Sequence, residues 1–483
     1  MIDFTVAEVA EICGADISQA DMEFFVKTIP GQFVIDNRQV RDGDIFIALP
    51  GEQTDGNKYA HAALASGAAA VITSNAELAL ASGAKLERLI VVKDAVLALG
   101  DLARAWLVSL RERNSELRVI GITGSVGKTT TKDLLAALVS TRGNVVAPPN
   151  SFNNEIGLAL TVLRADTSTA TLVLEMGADR IGNIEYLTQI APPDISIVLK
   201  IAEAHLGTFG SVANVVQAKS ELATGTRESG VVILNADDER IASMKAVTAA
   251  KVKFFSSEMG NSQEFSDPAI NLAAWATDVA DDAGHAVFNL QLQNESARVR
   301  LGLAGLHLMH NALAAALAAS ELGIPLVAIV QALQGASPVS PHRMDVFELA
   351  DCLIIDDAYN ANPTSMRAGI AALGSLGADY QRRIAVIGSM LEQGEHSDSL
   401  HVQLLPYLQQ ASVDYLVAVG EETAPLAKAA REAGLQVEYF SSYQDALSVL
   451  DSIRAGDAVL FKGSNGTQVW QLADTLRERL SVN

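Results

Sequence analysis

A chain of 483 residues exceeds what one hydrophobic core usually serves, so about two to four domains are expected. Nearly half of the residues are hydrophobic (49%), only 19% are charged, and the net charge is −22. That balance excludes a disordered tail and leaves no basic surface for nucleic acid, so any anionic substrate must be held by locally concentrated donors.

Cys13 and Cys352 are the only cysteines, with no CxxC pair, which fits a reducing compartment. The N-terminus, Met1-Ile2-Asp3-Phe4, has no basic n-region or long apolar stretch, so a cytoplasmic location is expected. The Ala/Leu-rich run Leu301 to Leu333 contains His307, His310, Asn311, Glu321 and Pro325. It reads as a buried helix pair and not as a membrane span. No internal repeat is visible, and nothing calls for an obligate interface, so a monomer is expected.

In chain order, a short helix precedes strands at Gln32–Val40 and Asp44–Ala48, a helix at His61–Ser66 and a buried strand at Ala69–Thr73. Leu97–Arg113 reads as an amphipathic helix leading into a polar linker, Arg111 to Ser115. The apolar strand Leu117–Thr123 then opens a second region, with a Gly-rich turn and a helix through Val139. Buried strands at Leu172–Met176, Ile195–Ile201 and Val231–Asn235 alternate with helical patterns, which implies a parallel, doubly wound sheet. Two alternating runs within Ala286–Leu303 suggest an antiparallel addition, and helices from His307 and Leu326 close the region near Pro338. A third region repeats the strand–helix logic at Cys352–Asp356, Ile384–Ile387, Tyr415–Val419, Val437–Phe440 and Ala458–Phe461, a second, Rossmann-like sheet. The expected architecture is three α/β domains in series, at 1–112, 113–338 and 339–483.

The strongest motif is Gly121-Ile122-Thr123-Gly124-Ser125-Val126-Gly127-Lys128-Thr129-Thr130, set between an apolar strand and an amphipathic helix. That is the setting of a phosphate loop: backbone N–H groups converge on phosphate oxygens, Lys128 reaches the outer phosphates, and Thr129 can bind Mg²⁺. Ile122 stands where the strict pattern has glycine. Ligands gather at the carboxyl ends of strands, so Glu175 and His205, each following a strand, are candidate metal ligands. By composition alone Lys219 reads as a solvated helix lysine, and Asn153 and Asn154 as caps of the following helix.

Together, Thr123-Gly-Ser-Val-Gly-Lys-Thr-Thr, Ser151-Phe-Asn-Asn-Glu-Ile-Gly, Glu175-Met-Gly, His205 and Ala218-Lys219 resemble the Mur ligases of bacterial cell-wall synthesis in order and spacing, over essentially the whole chain. The resemblance implies ATP and Mg²⁺ as cofactors, with Lys128, Lys219, His205, Asn153 and Asn154 as the catalytic set. Thr123 to Thr130 would hold the phosphates. Thr129, Glu175, His205 and a carbamylated Lys219 would hold metal. It also implies that Asn311 packs on adenine, that Arg343 reaches the γ-phosphate, and that Asp357 contacts the nucleotide from the third domain. Asn37, Arg38, Asp55, Gly56 and Lys58 match a uridine-binding region, although Asn37 and Asn57 replace commoner residues. Asp356-Asp357-Ala-Tyr-Asn-Ala-Asn-Pro and Ile387-Gly-Ser-Met-Leu-Glu-Gln-Gly-Glu-His396 resemble the branch that adds D-alanyl-D-alanine to UDP-MurNAc-tripeptide. Asn360, Asn362, Lys462 and Ser464 are then the dipeptide candidates. A sister ligase that adds a single amino acid, or a phosphate-loop binding module without acyl transfer, stays open. Arg343 and Asp357 are expected to reach ATP by closure of the third domain.

Overall fold

The computed structural model describes residues 4–15, 29, 31–51, 54–202, 209–257 and 270–481. Three sheets follow one another along the chain. The first holds β1 (Phe33–Val34), β2 (Ile45–Ala48), β3 (Ala70–Thr73) and β4 (Leu89–Val91), parallel and in sequence order. The central sheet holds β5 (Arg118–Thr123), β6 (Asn144–Val146), β7 (Thr169–Glu175), β8 (Ile195–Val198), β9 (Val231–Asn235), β10 (Lys251–Ser256), β11 (Leu272–Asp282), β12 (His285–Leu292) and β13 (Glu295–Ala304). Its order is 13-12-11-10-9-8-5-7-6, parallel except for the antiparallel pairs β11–β12 and β12–β13. The last sheet holds β14 (Asp345–Leu349), β15 (Cys352–Asp356), β16 (Arg382–Gly388), β17 (Tyr415–Val419), β18 (Gln436–Phe440) and β19 (Asp457–Lys462), in the order 14-15-19-16-17-18. Only β14 runs antiparallel to its neighbour there.

Alternation along β5 shows how the central sheet is covered. Ile120 and Ile122 pack with Leu134, Leu135 and Leu138 of the helix Lys128–Val139 and with Leu313 and Leu317 of the helix Met309–Glu321. Val119 packs on the other face with Trp106 and Leu110 of the helix Ala95–Arg113 and with Leu158 and Leu222. Residues are buried on both faces, which is why the strands read as continuous apolar runs. Trp106 contributes its ring to that core and satisfies its indole N–H on the Ala165 carbonyl at 2.9 Å. The same core reaches Ile45, Ile47, Ile72 and Ile90 of the first sheet, so the helix Ala95–Arg113 is shared between the two sheets.

Four expectations need correction. The strand foreseen over Gln32–Val40 shrinks to Phe33–Val34, because the Asp36 carboxylate accepts the Arg38 N–H at 3.0 Å and winds Asn37–Gln39 into a 3₁₀ turn. The linker foreseen from Arg111 begins as helix instead. Arg111 donates to the Pro192 carbonyl (2.8 Å) and to Asp194 (3.0 Å), and so locks the helix end to the central sheet. The strand Ile195–Ile201 stops at Val198, after which Lys200 offers its carbonyl to the Ser125 N–H at 2.8 Å. Strand β11, not foreseen, bridges the parallel sheet to the hairpin. The apolar run Leu301–Leu333 becomes the end of β13, a 3₁₀ turn and the helices Met309–Glu321 and Leu326–Gln334. Among the described residues no helix is long and apolar enough to cross a membrane.

Candidate active site

Parallel register brings the strand ends together. Ile122 pairs with Glu175 and Thr123 with Val198, so the ends of β7 and β8 flank the loop that leaves β5. Gly127 caps the following helix with φ +86°, and a Cβ there would lie 2.3 Å from the Asn311 amide nitrogen. That amide donates to the Gly127 carbonyl (3.0 Å) and to the Thr131 hydroxyl (2.9 Å), pinning the loop from a distant helix. One residue earlier, His310 donates from Nε2 to the Leu199 carbonyl (3.0 Å) and offers Nδ1 to the Ser257 hydroxyl (3.5 Å). Lys128 bends back onto the Gly124 carbonyl at 2.8 Å, with burial pushing its ammonium below the usual lysine range and Glu175 pulling it back.

Glu175 is fully buried, and among the described residues neither carboxylate oxygen has a well-formed hydrogen-bond partner, the Thr129 hydroxyl lying nearby. Burial pushes its carboxyl up, while Lys128 and Arg343 nearby pull it down. The Thr129 hydroxyl lies 3.0 Å from Ser151 Oγ. A buried carboxylate with orphaned oxygens beside that hydroxyl is the donor set that a hard divalent cation takes, so the residues fit Mg²⁺. His205 lies outside the described residues. Lys219, expected on composition to be solvated, is only 4% exposed on the helix Val212–Thr224. Burial, and then repulsion from Lys128, push its amine down to about 7.

Two hollows meet at the loop. One, of about 550 Å³, is lined by Ser125, Val126, Gly127, Lys128, Thr129 and Thr130 from below, and by His307, Asn311, Arg343 and Asp357 from the sides. The other, of about 340 Å³, holds Lys219, Asp179, Arg180 and Asn154. Ser125, Lys128 and Asn153 belong to both. Asn154 caps the helix Glu155–Leu163 through the Gly157 N–H (2.9 Å), as its sequence position suggests. Asn153 accepts the Gly177 N–H on its carbonyl (2.8 Å) and packs so closely that a Cβ at Gly177 would lie 2.9 Å from its side chain. Among the described residues the buried Thr123 hydroxyl has no hydrogen-bond partner.

The third sheet supplies the opposite wall. Arg343 donates to Ser151 Oγ at 2.5 Å and stacks 4.0 Å above the Tyr359 ring. Lys462, 1% exposed, donates to Asp357 Oδ2 (2.5 Å) and to the Asn360 carbonyl (3.2 Å). Its ammonium lines the same hollow as the phosphate loop. Asn362 caps the helix Pro363–Leu376 by accepting the Ser365 N–H (2.9 Å), and Ser464 Oγ accepts the Leu391 N–H (3.0 Å). In the first sheet Arg38 pairs with Asp36 at 2.7 Å and stays 84% exposed. Asp55 caps the turn Gly56–Tyr59, which carries Lys58. Asn57 is buried and accepts from Thr73 at 2.5 Å, so it serves the fold. Ser151, Lys200, His310 and Tyr359 line the larger hollow and were not singled out from the sequence. Only the adjacency of Ser151 to Asn153, of His310 to Asn311 and of Tyr359 to Asp357 could have signalled three of them.

Profiles of the Mur ligase family cover the three regions. The family's catalytic domain matches residues 32–107, the Mur ligase middle domain 122–319, and the glutamate ligase domain 342–465. The UDP-N-acetylmuramoyl-tripeptide--D-alanyl-D-alanine ligase of Mycobacterium tuberculosis is 38% identical over 99% of this chain and 98% of its own length. Its Escherichia coli counterpart is 32% identical over 99% of each chain. Among solved structures, MurF from Acinetobacter baumannii superposes with a TM-score of 0.84 at 30% identity, covering 99% of both chains. MurF ligase from Thermotoga maritima in complex with ADP gives 0.77 at 27% identity, covering 94% of this chain and 98% of its own. The chain belongs to the Mur ligase family, and it is an ATP-dependent ligase.

Proposed function

We propose that this ligase joins D-alanyl-D-alanine to UDP-N-acetylmuramoyl-tripeptide, giving the pentapeptide precursor of peptidoglycan, in the cytoplasm and as a monomer. The observation that carries the reading is the place of Lys128, in the wall between a nucleotide-sized hollow and a second chamber lined by Lys219, Asn153 and Asn154. The full-length likeness to ligases named for that reaction supports it. So do the three regions, with proposed boundaries near 112 and 338.

Amide formation in water is uphill, and a carboxylate is a poor electrophile. The acceptor carboxylate, lying in the second chamber, attacks the γ-phosphorus; the bond to the bridging oxygen breaks, and ADP leaves. Lys128 and Arg343 neutralise charge on the transferred phosphoryl from opposite walls, which is positioning plus electrostatics. The dipeptide amine then attacks the acyl carbon, phosphate departs, and the amine's proton is lost. Thr129, Glu175 and a carbamylated Lys219 would hold Mg²⁺, which supplies further charge neutralisation at the phosphates. Asn311 and Asp357 flank the nucleotide, and Arg38 and Lys58 offer cations to the uridine diphosphate. Asn360 and Asn362 stand where the dipeptide would enter.

The decisive assay is phosphate release from ATP with UDP-MurNAc-tripeptide, with and without D-alanyl-D-alanine, followed by mass analysis. Release that requires both, with a product heavier by one dipeptide, is expected. Release that needs a single amino acid would assign the chain to a sister reaction, and no substrate-dependent release would leave a nucleotide-binding module.

A further inference from the structure

The segment His342-Arg343-Met344 leads into β14, and two of its three residues hold left-handed backbone, φ +58° at His342 and +51° at Met344. Neither is glycine, so the surroundings must fix the conformation, and such residues cluster where geometry serves function. The surroundings are specific. The Tyr359 N–H donates to the His342 carbonyl (3.0 Å), and the Met344 N–H to Asp357 Oδ1 (3.2 Å). His342 Nδ1 pairs with the buried Asp356 Oδ2 at 2.8 Å. On the far side of the ring, Nε2 lies 4.0 Å from Asp474 Oδ2, and the ring leans on Trp470 with centroids 5.4 Å apart. Both of those residues come from the helix Trp470–Ser481. The third charged group facing the imidazole is Arg477 of the same helix, which is paired with Asp345 at 2.5 Å.

His342 and Asp356 therefore stand one residue before Arg343 and Asp357, the two groups that the third sheet presents to the nucleotide hollow. We propose that His342 is a positioning residue: held between Asp356 and Asp474, it fixes the strained segment that aims Arg343 across the cleft at Ser151 and the phosphate loop. This rests on the proposed function only for the identity of the anion that Arg343 meets. The imidazole and the two carboxylates lie within 4.8 Å of one another, and an imidazolium there is hydrogen-bonded to Asp356 and drawn electrostatically toward Asp474 without an ion. The Asp356 hydrogen bond raises the imidazole above its ordinary value while burial opposes it, so the charged clamp persists to higher pH than a free imidazolium would and is lost as pH rises through the raised value.

The test is calorimetric titration of the full-length chain, with Mg²⁺, by a non-hydrolysable ATP analogue and by ADP across pH. The proteins are the parent, His342→Asn and Asp474→Asn. Asparagine tolerates left-handed backbone, so the first variant removes the imidazole and keeps the turn. The parent should prefer the triphosphate analogue, with a preference that declines as pH rises. His342→Asn should reduce that preference by roughly ten-fold or more, hold ADP affinity within about two-fold, and abolish the pH-dependent decline. Asp474→Asn should keep the preference and shift its midpoint to lower pH. A parent without the preference overturns the proposal. So does a His342→Asn protein with the parental ratio and pH profile, whatever its melting temperature. Should that variant fail to fold, an unmoved midpoint in Asp474→Asn overturns it as well. Nucleotide binding needs neither acceptor nor dipeptide, so failure of the ligation assay would leave this readout intact and count against the reaction alone.

Discussion

At Glu175 two requirements pull apart. Burying a carboxylate that accepts no well-formed hydrogen bond among the described residues is costly without metal, a cost that Lys128 and Arg343 offset only in part, and the same orphaned oxygens are what a cation needs. Glu175→Gln is therefore expected to raise stability in metal-free buffer by roughly 1–3 kcal/mol in urea denaturation while removing Mg²⁺-dependent activity; equal or lower stability would mean that the carboxylate has a compensating partner. Lys219 makes a similar case through its amine. Pushed down to about 7, it is largely neutral above that pH, and the neutral amine is the form that can take up carbon dioxide. Lys219→Ala should abolish ligation, with partial recovery in added small carboxylates such as formate; complete absence of recovery would argue against a carbamate. At Gly127 the φ of +86° and the 2.3 Å approach to Asn311 leave no room for a methyl group. Gly127→Ala should cost about 1–2 kcal/mol and weaken nucleotide binding, read by denaturation and calorimetry.

Among the elements, the helix Met309–Glu321 does two tasks: its apolar residues fill the central core, and its first turn holds the loop side of the sheet through His310 and Asn311. His310 must be neutral to accept from Ser257 while donating to Leu199, and burial pushes it from 6.5 down to about 4. A base whose folded value is depressed binds fewer protons folded than unfolded. Its contribution is therefore fully present above about pH 6.5 and lost as pH falls toward 4, worth roughly 2–3 kcal/mol. Urea denaturation at pH 7 and pH 4.5 should show a steeper acid loss in the parent than in His310→Gln; parallel losses would remove His310 from the account. The strands of the third sheet could be read from the chain because each is a short apolar run with turn residues on both sides; β15 and β17 fall on the expected residues, as β9 does in the central sheet. Strand β1 could not, since the Asp36 side chain outcompetes extended backbone over Asn37–Gln39.

For the molecule as a whole, the third sheet is already docked on the central one. Arg343 reaches Ser151, Ser375 donates to Asp281 at 2.5 Å, and Leu376 fills the space beside Gly284. In this arrangement Arg343 and Asp357 line the same hollow as the phosphate loop, as the closure expected from the sequence would require. If ligands select it, scattering from the free protein should give a larger radius of gyration than with ATP analogue and acceptor together; no decrease would mean that the chain docks without them. The net charge of −22 acts at this scale too: Lys128 and Arg180 from the central region and Arg343 from the third line the two hollows, the local concentration of donors that an anionic ligand would need against the overall field.

The chain by itself determined the three α/β regions, the phosphate loop and the family, because strand periodicity, glycine placement and motif order are local and survive without knowledge of contacts. What only the tertiary structure decided is which polar groups are free. Lys219 and Lys462 are both lysines at apolar-flanked positions, yet one lines a chamber with a depressed amine while the other is tied to Asp357. Asn57 is likewise spent on a buried bond, accepting from Thr73. Burial and hydrogen-bond commitment depend on neighbours brought from far along the chain, and no local pattern encodes them.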